Sequence, residues 1–352
     1  MSSKRIASID IAKGVGMLFI IWGHVMRYGI TNHWVYVFHI PLFFFLSGLV
    51  FSQERYGDFK AFLKRKFQTL LIPYFIYSVV TWVIWALYSY VTHAEVDSYW
   101  MPLLQTFIAQ GSAGFLIHNG TLWFVTCLFV VECLYWWLGK IRIGIRIIVL
   151  VLCAMLGVFL STFNGPVDFK LLPWNIEVAL MVIVFYAAGS MIKTKWSVES
   201  INTYIKDHSF FSILLAVLLG LIVYVVAIVN GKVSMGHANP GKYPLLFYAG
   251  AFCGIIMVYI ISVIISGIVR RRSFIEWFGK NSFCVMAIHN PLKGIVVVIV
   301  AKFLHTTVNS INSSLSYALV AFVLSVIVTA LFTYLISYLE SRFYILKHGA
   351  QK

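Results

Sequence analysis

Two histidines stand in stretches that are otherwise apolar: His24 in "IIWGHV" and His39 in "FHIPLFFFLSG". An imidazole titrates near neutrality, so a histidine held away from bulk water is a candidate general base or nucleophile. Lys13 precedes His24 by eleven residues; on a helix the two are only about 20° out of line and about 16 Å apart along the axis. Asp10 falls one turn below Lys13. A cation at the start of such a stripe and an imidazole at depth suit a substrate with an anionic head and a long arm. The same residues also fit a structural role, in which Asp10 caps the helix and pairs with Lys13 while His24 hydrogen-bonds to a neighbouring helix.

The elements that must position these residues follow from composition. The chain has 352 residues, 61% hydrophobic and 11% charged, with a mean hydropathy of +0.89. That is about half the charge of an average soluble domain. A bilayer crossing takes about 20 mainly apolar residues, and such runs recur throughout. The pattern predicts an all-α polytopic membrane protein with about ten transmembrane helices, at 13–31, 35–52, 70–92, 121–138, 147–163, 176–192, 210–229, 245–268, 282–303 and 315–338. On this reading 1–352 is a single integral-membrane domain without an appended soluble one.

A net charge of +15 raises the question of nucleic acid, and the placement of the charge answers it. Of the 27 Lys and Arg, all but Arg27, Lys170, Lys232, Lys242, Lys293 and Lys302 fall on the side of the predicted membrane that holds the N-terminus. This is the positive-inside pattern, and it predicts cytoplasmic termini. Reporters fused after Gly236 and after Arg271 are then expected on opposite faces. No nucleic-acid partner is needed, and a residual attraction for anionic membrane lipid is the remaining use for the charge. The five cysteines lie in predicted spans without metal-ligand spacing, so no metal is expected. The chain has no Walker A, GxGxxG or HExxH motif, and its first apolar run lacks a signal-peptide cleavage site.

Ionisable groups inside spans are costly and usually face a cavity or a partner. Besides the stripe they are Glu132, Glu177 and His289 with Lys293. His39 is expected at the start of the second span, after a "TNHW" turn, with Pro41 in the first helical turn where its missing N–H is harmless. Ser47 and Gly48 permit close helix approach. Pro291 is expected to kink the ninth span and free carbonyls that need a partner. The 93–120 connection carries "YWMPLLQTFIA", either a lid over the outer mouth or an interfacial anchor, and leads into Trp123.

The stretches "RIASIDIAKGVGMLFIIWGHV", "FHIPLFFFLSGLVF", "GTLWFVTCLFVVE" and "SFCVMAIHNPL", in that order, resemble the membrane acyltransferase 3 family, within it the fucose 4-O-acetylase-like branch. The resemblance covers nearly the whole chain. It implies a ten-span protein of a cell membrane, such as a bacterial inner membrane, that moves an acyl group from acyl-CoA, usually acetyl-CoA, to a hydroxyl of a surface glycan or its lipid-linked precursor. It implies catalytic roles for His24 and His39, and acyl-CoA binding by Lys13 and the basic cluster Lys64, Arg65 and Lys66. Asp10, Ser47, Trp123, Glu132 and His289 are supporting or substrate-binding candidates.

Two departures bear on this. Many members of the family carry arginine where this chain has Lys13, which replaces a bidentate phosphate contact by a point charge. The paired arginines at the base of the third span are represented by "KRKFQ", with Gln68 in place of the second. Two other classes fit the buried polar residues: a transporter of small anionic solutes or protons, and a non-catalytic component of a polysaccharide export complex.

Overall fold

The structure, a computed structural model, describes residues 5–111, 115–163, 172–269 and 273–349, with side chains as far as Arg342. Lys4, Lys170, Arg270, Arg271, Arg272 and Lys352, weighed above for topology, lie outside the described residues.

Ten helices are long and apolar enough to cross a bilayer: α1 (Ala7–Val25), α2 (Ile30–Val50), α3 (Phe59–Val91), α4 (Gly120–Leu138), α5 (Ile143–Thr162), α6 (Pro173–Lys195), α7 (Ser209–Asn230), α8 (Pro244–Ile268), α9 (Ser282–Phe303) and α10 (Leu315–Arg342). Among the described residues there is no strand, only an isolated bridge between Ser234 and Asn239. In hydrocarbon a helix satisfies its own backbone, which is why runs this apolar take that form.

The helices divide into two shells. In α1, α2, α4 and α6, 67–72% of the most apolar window is buried, against 11–28% in α3, α5, α7 and α10. The outer helices present their apolar side chains to lipid, for example Leu152, Met155 and Phe159 of α5. Inside, α2 and α6 approach backbone to backbone: a Cβ at Gly48 would lie 1.9 Å from the Tyr186 carbonyl oxygen, and one at Gly189 2.1 Å from that of Phe45. Small residues at helix crossings serve this close packing in membranes.

Three local features differ from the sequence reading. Helix α1 begins at Ala7 rather than 13, because the short helix Phe274–Lys280 packs along its first turns. Helix α2 begins at Ile30, so "TNHW" is helical and the turn is Met26–Gly29, with Gly29 at φ 88. The cause is Asn32, whose Nδ2 donates to the carbonyls of Gly23 at 2.9 Å and Met26 at 2.7 Å and so caps the end of α1. His39 and Pro41 therefore lie within α2, not at its mouth.

Pro291 lies within α9, and a proline there leaves the carbonyl four residues back without its helical donor. That carbonyl belongs to Ala287, and it accepts from Asn119 Nδ2 at 2.6 Å. Thr121 Oγ1 donates to the Met286 carbonyl at 3.1 Å. The start of α4 is thereby pinned to the break in α9. In α3 a π-helical turn, Phe67–Leu71, follows the basic cluster.

Candidate active site

A cavity of about 610 Å³ lies between α1, α2, α4 and α9. Its α1 wall is Lys13, Met17, Ile20, Gly23 and His24, continued by Arg27 just past the helix. These positions recur every three or four residues, as one helical face requires. The α2 wall is built the same way from Asn32, Tyr36, His39, Ile40, Phe43 and Ser47. Trp123, Phe124 and Leu128 of α4 and Ser282, Met286, His289 and Asn290 of α9 close the sides. From Lys13 to the end of α1 at Val25 the helix climbs about 18 Å, so the cavity runs most of the way through the bundle.

The end opposite the termini is roofed by residues 231–243, of which Lys232, Ser234, Met235, Gly236 and His237 line the cavity. This loop is held by its own hydrogen bonds. Ser234 and Asn239 exchange backbone bonds of 2.8 and 3.0 Å. The Asn230 side chain donates to the Pro240 carbonyl at 2.8 Å and accepts from the Tyr243 N–H at 2.6 Å. Gly236 sits against the Trp123 indole, where a Cβ would come within 2.9 Å of Nε1. Burial, with the Lys232 ammonium nearby, holds His237 below the usual histidine range, and its Nδ1 is 3.0 Å from Ser234 Oγ.

Three imidazoles meet at mid-cavity. His39 Nδ1 lies 2.9 Å from the Val35 carbonyl. His289 Nδ1 lies 2.9 and 3.1 Å from the carbonyls of Met286 and Val285. A carbonyl only accepts, so in each ring Nδ1 carries the hydrogen, and the neutral ring keeps a bare lone pair on Nε2. His289 is fully buried, and its Nε2 has no partner among the described residues. The His24 ring lies 5.3 Å from that of His289. Tyr36 stands between the other pair, 6.5 Å from His24 and 4.7 Å from His39. Among the described residues no group of three His, Cys, Asp or Glu is arranged to hold a metal ion.

The structure thus brings together on one wall Lys13, His24, His39, Ser47, Trp123 and His289. It does not bring Asp10, which is buried at 8% exposed and whose charged surroundings are Lys13, Arg5 and the Glu276–Lys280 pair. Nor does it bring Glu132, whose carboxylate accepts from Lys66 Nζ at 2.7 Å outside the cavity. Glu132 is therefore a partner of Lys66 and not an orienting group for His24. Lys64 and Arg65 are exposed, and neither they nor Lys66 line the cavity. The interfacial stretch 99–109 packs elsewhere, with Tyr74 donating to the Thr106 carbonyl at 2.6 Å and Trp174 to that of Phe107 at 2.8 Å. None of 99–109 lines the cavity, although Gly111 and Gly120 of the same 93–120 connection do.

An acyltransferase-domain family model, that of acyltransferase 3, matches residues 6–334. The chain belongs to the acyltransferase 3 family. No curated protein and no solved structure matches it. The family match runs from the start of α1 into α10 and so takes in every wall of the cavity. As an acyltransferase 3 protein, this chain is a multi-pass membrane acyltransferase.

Sequence reasoning did not single out Tyr36, Asn32, Asn290, Arg27 or the 231–243 loop as site residues. Two signals were available. Arg27 follows His24 by three residues and so shares its face. "GKVSMGHANPGK" packs two lysines and a histidine among turn-forming residues in one short connection.

Proposed function

We propose that the protein transfers an acyl group, acetyl in the simplest case, from acyl-CoA to a hydroxyl of a surface glycan or its lipid-linked precursor. The branch it fits is the fucose 4-O-acetylase-like one. The observation that carries this is a continuous cavity with a lysine at one end, a histidine cluster at mid-depth and a built loop at the other. The positive-inside charge pattern supports a cytoplasmic termini end, so Lys13 meets the phosphates of acyl-CoA entering from the cytoplasm while the acyl-bearing arm reaches up to His24.

In the chemical step a neutral imidazole takes the proton of the attacking hydroxyl as its oxygen adds to the thioester carbonyl. The C–S bond then breaks, and the thiolate recovers the proton as CoA thiol. A positioned base of this kind contributes about 10²- to 10⁴-fold. His24 acts as that base, at the point where acyl donor and acceptor meet. His39 and His289 keep their Nε2 lone pairs available to the same cavity and orient the acceptor or pass the proton on.

One observation favours a second route. His24, unlike His39 and His289, has no hydrogen bond fixing a ring nitrogen among the described residues, so it is free to change partners. In that route a His24 nitrogen attacks the thioester and CoA leaves as thiol with the proton of the His24 ring; the glycan hydroxyl then attacks the acyl carbon and displaces the His24 imidazole, while His289 Nε2 takes the hydroxyl proton and returns it to the His24 ring. The test uses purified protein in lipid nanodiscs with radiolabelled acetyl-CoA and a glycan acceptor. Label in the glycan, lost in His24→Ala, supports the reading. Transport of acetate or glycan without label transfer overturns it. Label held on the protein before acceptor is added, released by hydroxylamine at neutral pH and lost in His24→Ala, selects the acyl-histidine route.

A further inference from the structure

The far end of the cavity carries positive charge that acyl-CoA does not use. Arg27 stands just beyond His24, Lys232 is delivered by the anchored loop, and both line the cavity. Lys293, one turn beyond His289 on α9, is 5% exposed, and the charged groups acting on it include Arg27. Its charge in turn acts on His24 and His289. Among the described residues no Asp or Glu lines the cavity. The salt bridges among the described residues, Lys66–Glu132 and Lys280–Glu276, use none of these three cations. A lysine buried in a span costs a few kcal/mol and is usually compensated by a partner or a water-filled path. Lys293 lies behind the lining, and the charged group acting on it is a second cation, Arg27, so an anion bound at Arg27 and Lys232 would offset its charge as well.

Acyl-CoA is not that anion on the reading above, because its phosphates meet Lys13, about 18 Å from the far end of α1. We infer that the acceptor is an anionic saccharide, whose carboxylate or phosphate is held by Arg27 and Lys232, with the Lys293 charge behind them, while the hydroxyl to be acylated points down toward His24. Arg27 follows His24 by three residues, just past the end of α1, a reach of at most about 10 Å, which places the acylated position within one or two sugar rings of the negative group. Tyr28, exposed at the same mouth and lining it, offers an aromatic face on which that ring stacks. Arg27 supplies the planar fork that matches a carboxylate or phosphate, and Lys293 the charge that a neutral sugar would leave uncompensated. Two sources carry such an anion, a uronate within the glycan and the phosphate that joins a precursor to its lipid.

The inference rests on the acyltransferase reading, and its test is a binding measurement that needs no turnover. The full-length protein in zwitterionic nanodiscs is titrated with four probes: an oligogalacturonate, its carboxyl methyl ester, a polyprenyl phosphate and the matching polyprenol. One charged probe is expected to bind at least tenfold more tightly than its neutral counterpart, and the identity of that probe tells uronate from phosphate. Arg27→Gln combined with Lys232→Gln is expected to erase the preference while the variant stays monodisperse and still binds acetyl-CoA. Equal binding of both charged and neutral pairs, binding of neither charged probe, or a preference that survives the double substitution overturns the inference. Wild-type protein that prefers the charged probe but binds no acetyl-CoA would instead defeat the acyltransferase reading and leave the anion site standing.

Discussion

Two polar clusters lie inside the bundle, and they use their valences in opposite ways. In the first, Glu132 and Lys66 meet at 2.7 Å, with the rings of Tyr56 and Phe62 each 5.9 Å from the ammonium. Opposite charges cancel there, and neither residue lines the histidine cavity. In the second, histidines hold Nε2 lone pairs toward open space, and among the described residues the Lys and Arg on the lining meet no Asp or Glu there. A compensated pair has no capacity left for a substrate, so its worth lies in the fold. An uncompensated group is tolerated only where a ligand completes it, and its worth lies in the reaction.

The largest expected effect comes from the second cluster. His24→Ala is expected to lower acyl transfer by about 10²- to 10⁴-fold with little change in the detergent-solubilised melting temperature, because the ring borders a cavity and supports no hydrogen bond. Transfer to glycan from radiolabelled acetyl-CoA measures the first, and a thermal melt the second. A large fall in stability would put His24 in the same category as Glu132 and break the comparison.

Glu132→Gln is expected to behave the opposite way. Removing one partner of a buried ion pair costs about 3 kcal/mol, so stability should drop while kcat per folded molecule stays near wild type. The double variant Lys66→Met with Glu132→Leu should regain much of that loss, since buried pairs are replaceable by apolar groups of similar volume. Denaturant melts of the three proteins in one detergent check both statements. A kcat loss that the double variant does not restore would move the pair into the reaction.

His289→Ala comes next, at about 10²-fold in kcat, with His39→Ala comparable or smaller. Both rings are anchored through Nδ1, so each presents one defined nitrogen, and Gln, which offers no base there, should not rescue. Equal activity of the Ala and wild-type proteins across pH would remove either residue from the proton path.

Much of this was legible before the fold was known. Ten spans follow from apolar run length alone, and the Lys13–His24 stripe follows from helical pitch. His289 and Lys293 announced themselves as a polar pair in an apolar helix with Pro291 between them, and the expected freed carbonyl is there, with Asn119 on it. What failed was local and has a common cause: side chains that act across the chain look like turn formers when read in line. Asn32 reads as part of a turn but caps the previous helix, which moved the start of α2 and with it the positions of His39 and Pro41. Glu132 and Lys66 are 66 residues apart, and no spacing rule pairs them. The 231–243 loop became part of the site only because Gly236 lets it rest on Trp123.

Lys13→Ala tests the termini end of the comparison. A phosphate contact made about equally in ground and transition states affects KM and not kcat. The expected change is a rise of about tenfold in KM for acetyl-CoA, equivalent to about 1.4 kcal/mol, with kcat near wild type. Steady-state kinetics at saturating acceptor decides it, and a fall confined to kcat would place Lys13 in the chemical step.

The smallest effect is expected from the basic residues that the sequence made most conspicuous. Lys64 and Arg65 are exposed at the termini end of α3, and the α3 residue in the cavity wall is Leu70, beyond the cluster and within the π-helical turn. Lys66, between them and the wall, is already held by Glu132. Exposed cations act on a distant phosphate only through a field that falls off over about 8 Å at physiological ionic strength. The double variant Lys64→Ser with Arg65→Ser should therefore leave KM for acetyl-CoA within about twofold of wild type, well short of the Lys13→Ala effect. Raising the salt concentration should shrink even that difference, because screening removes a long-range contribution first. A KM increase that matches Lys13→Ala and persists at high salt would mean direct contact, and the acyl-CoA path would then have to extend along α3 to the basic cluster instead of ending at Lys13.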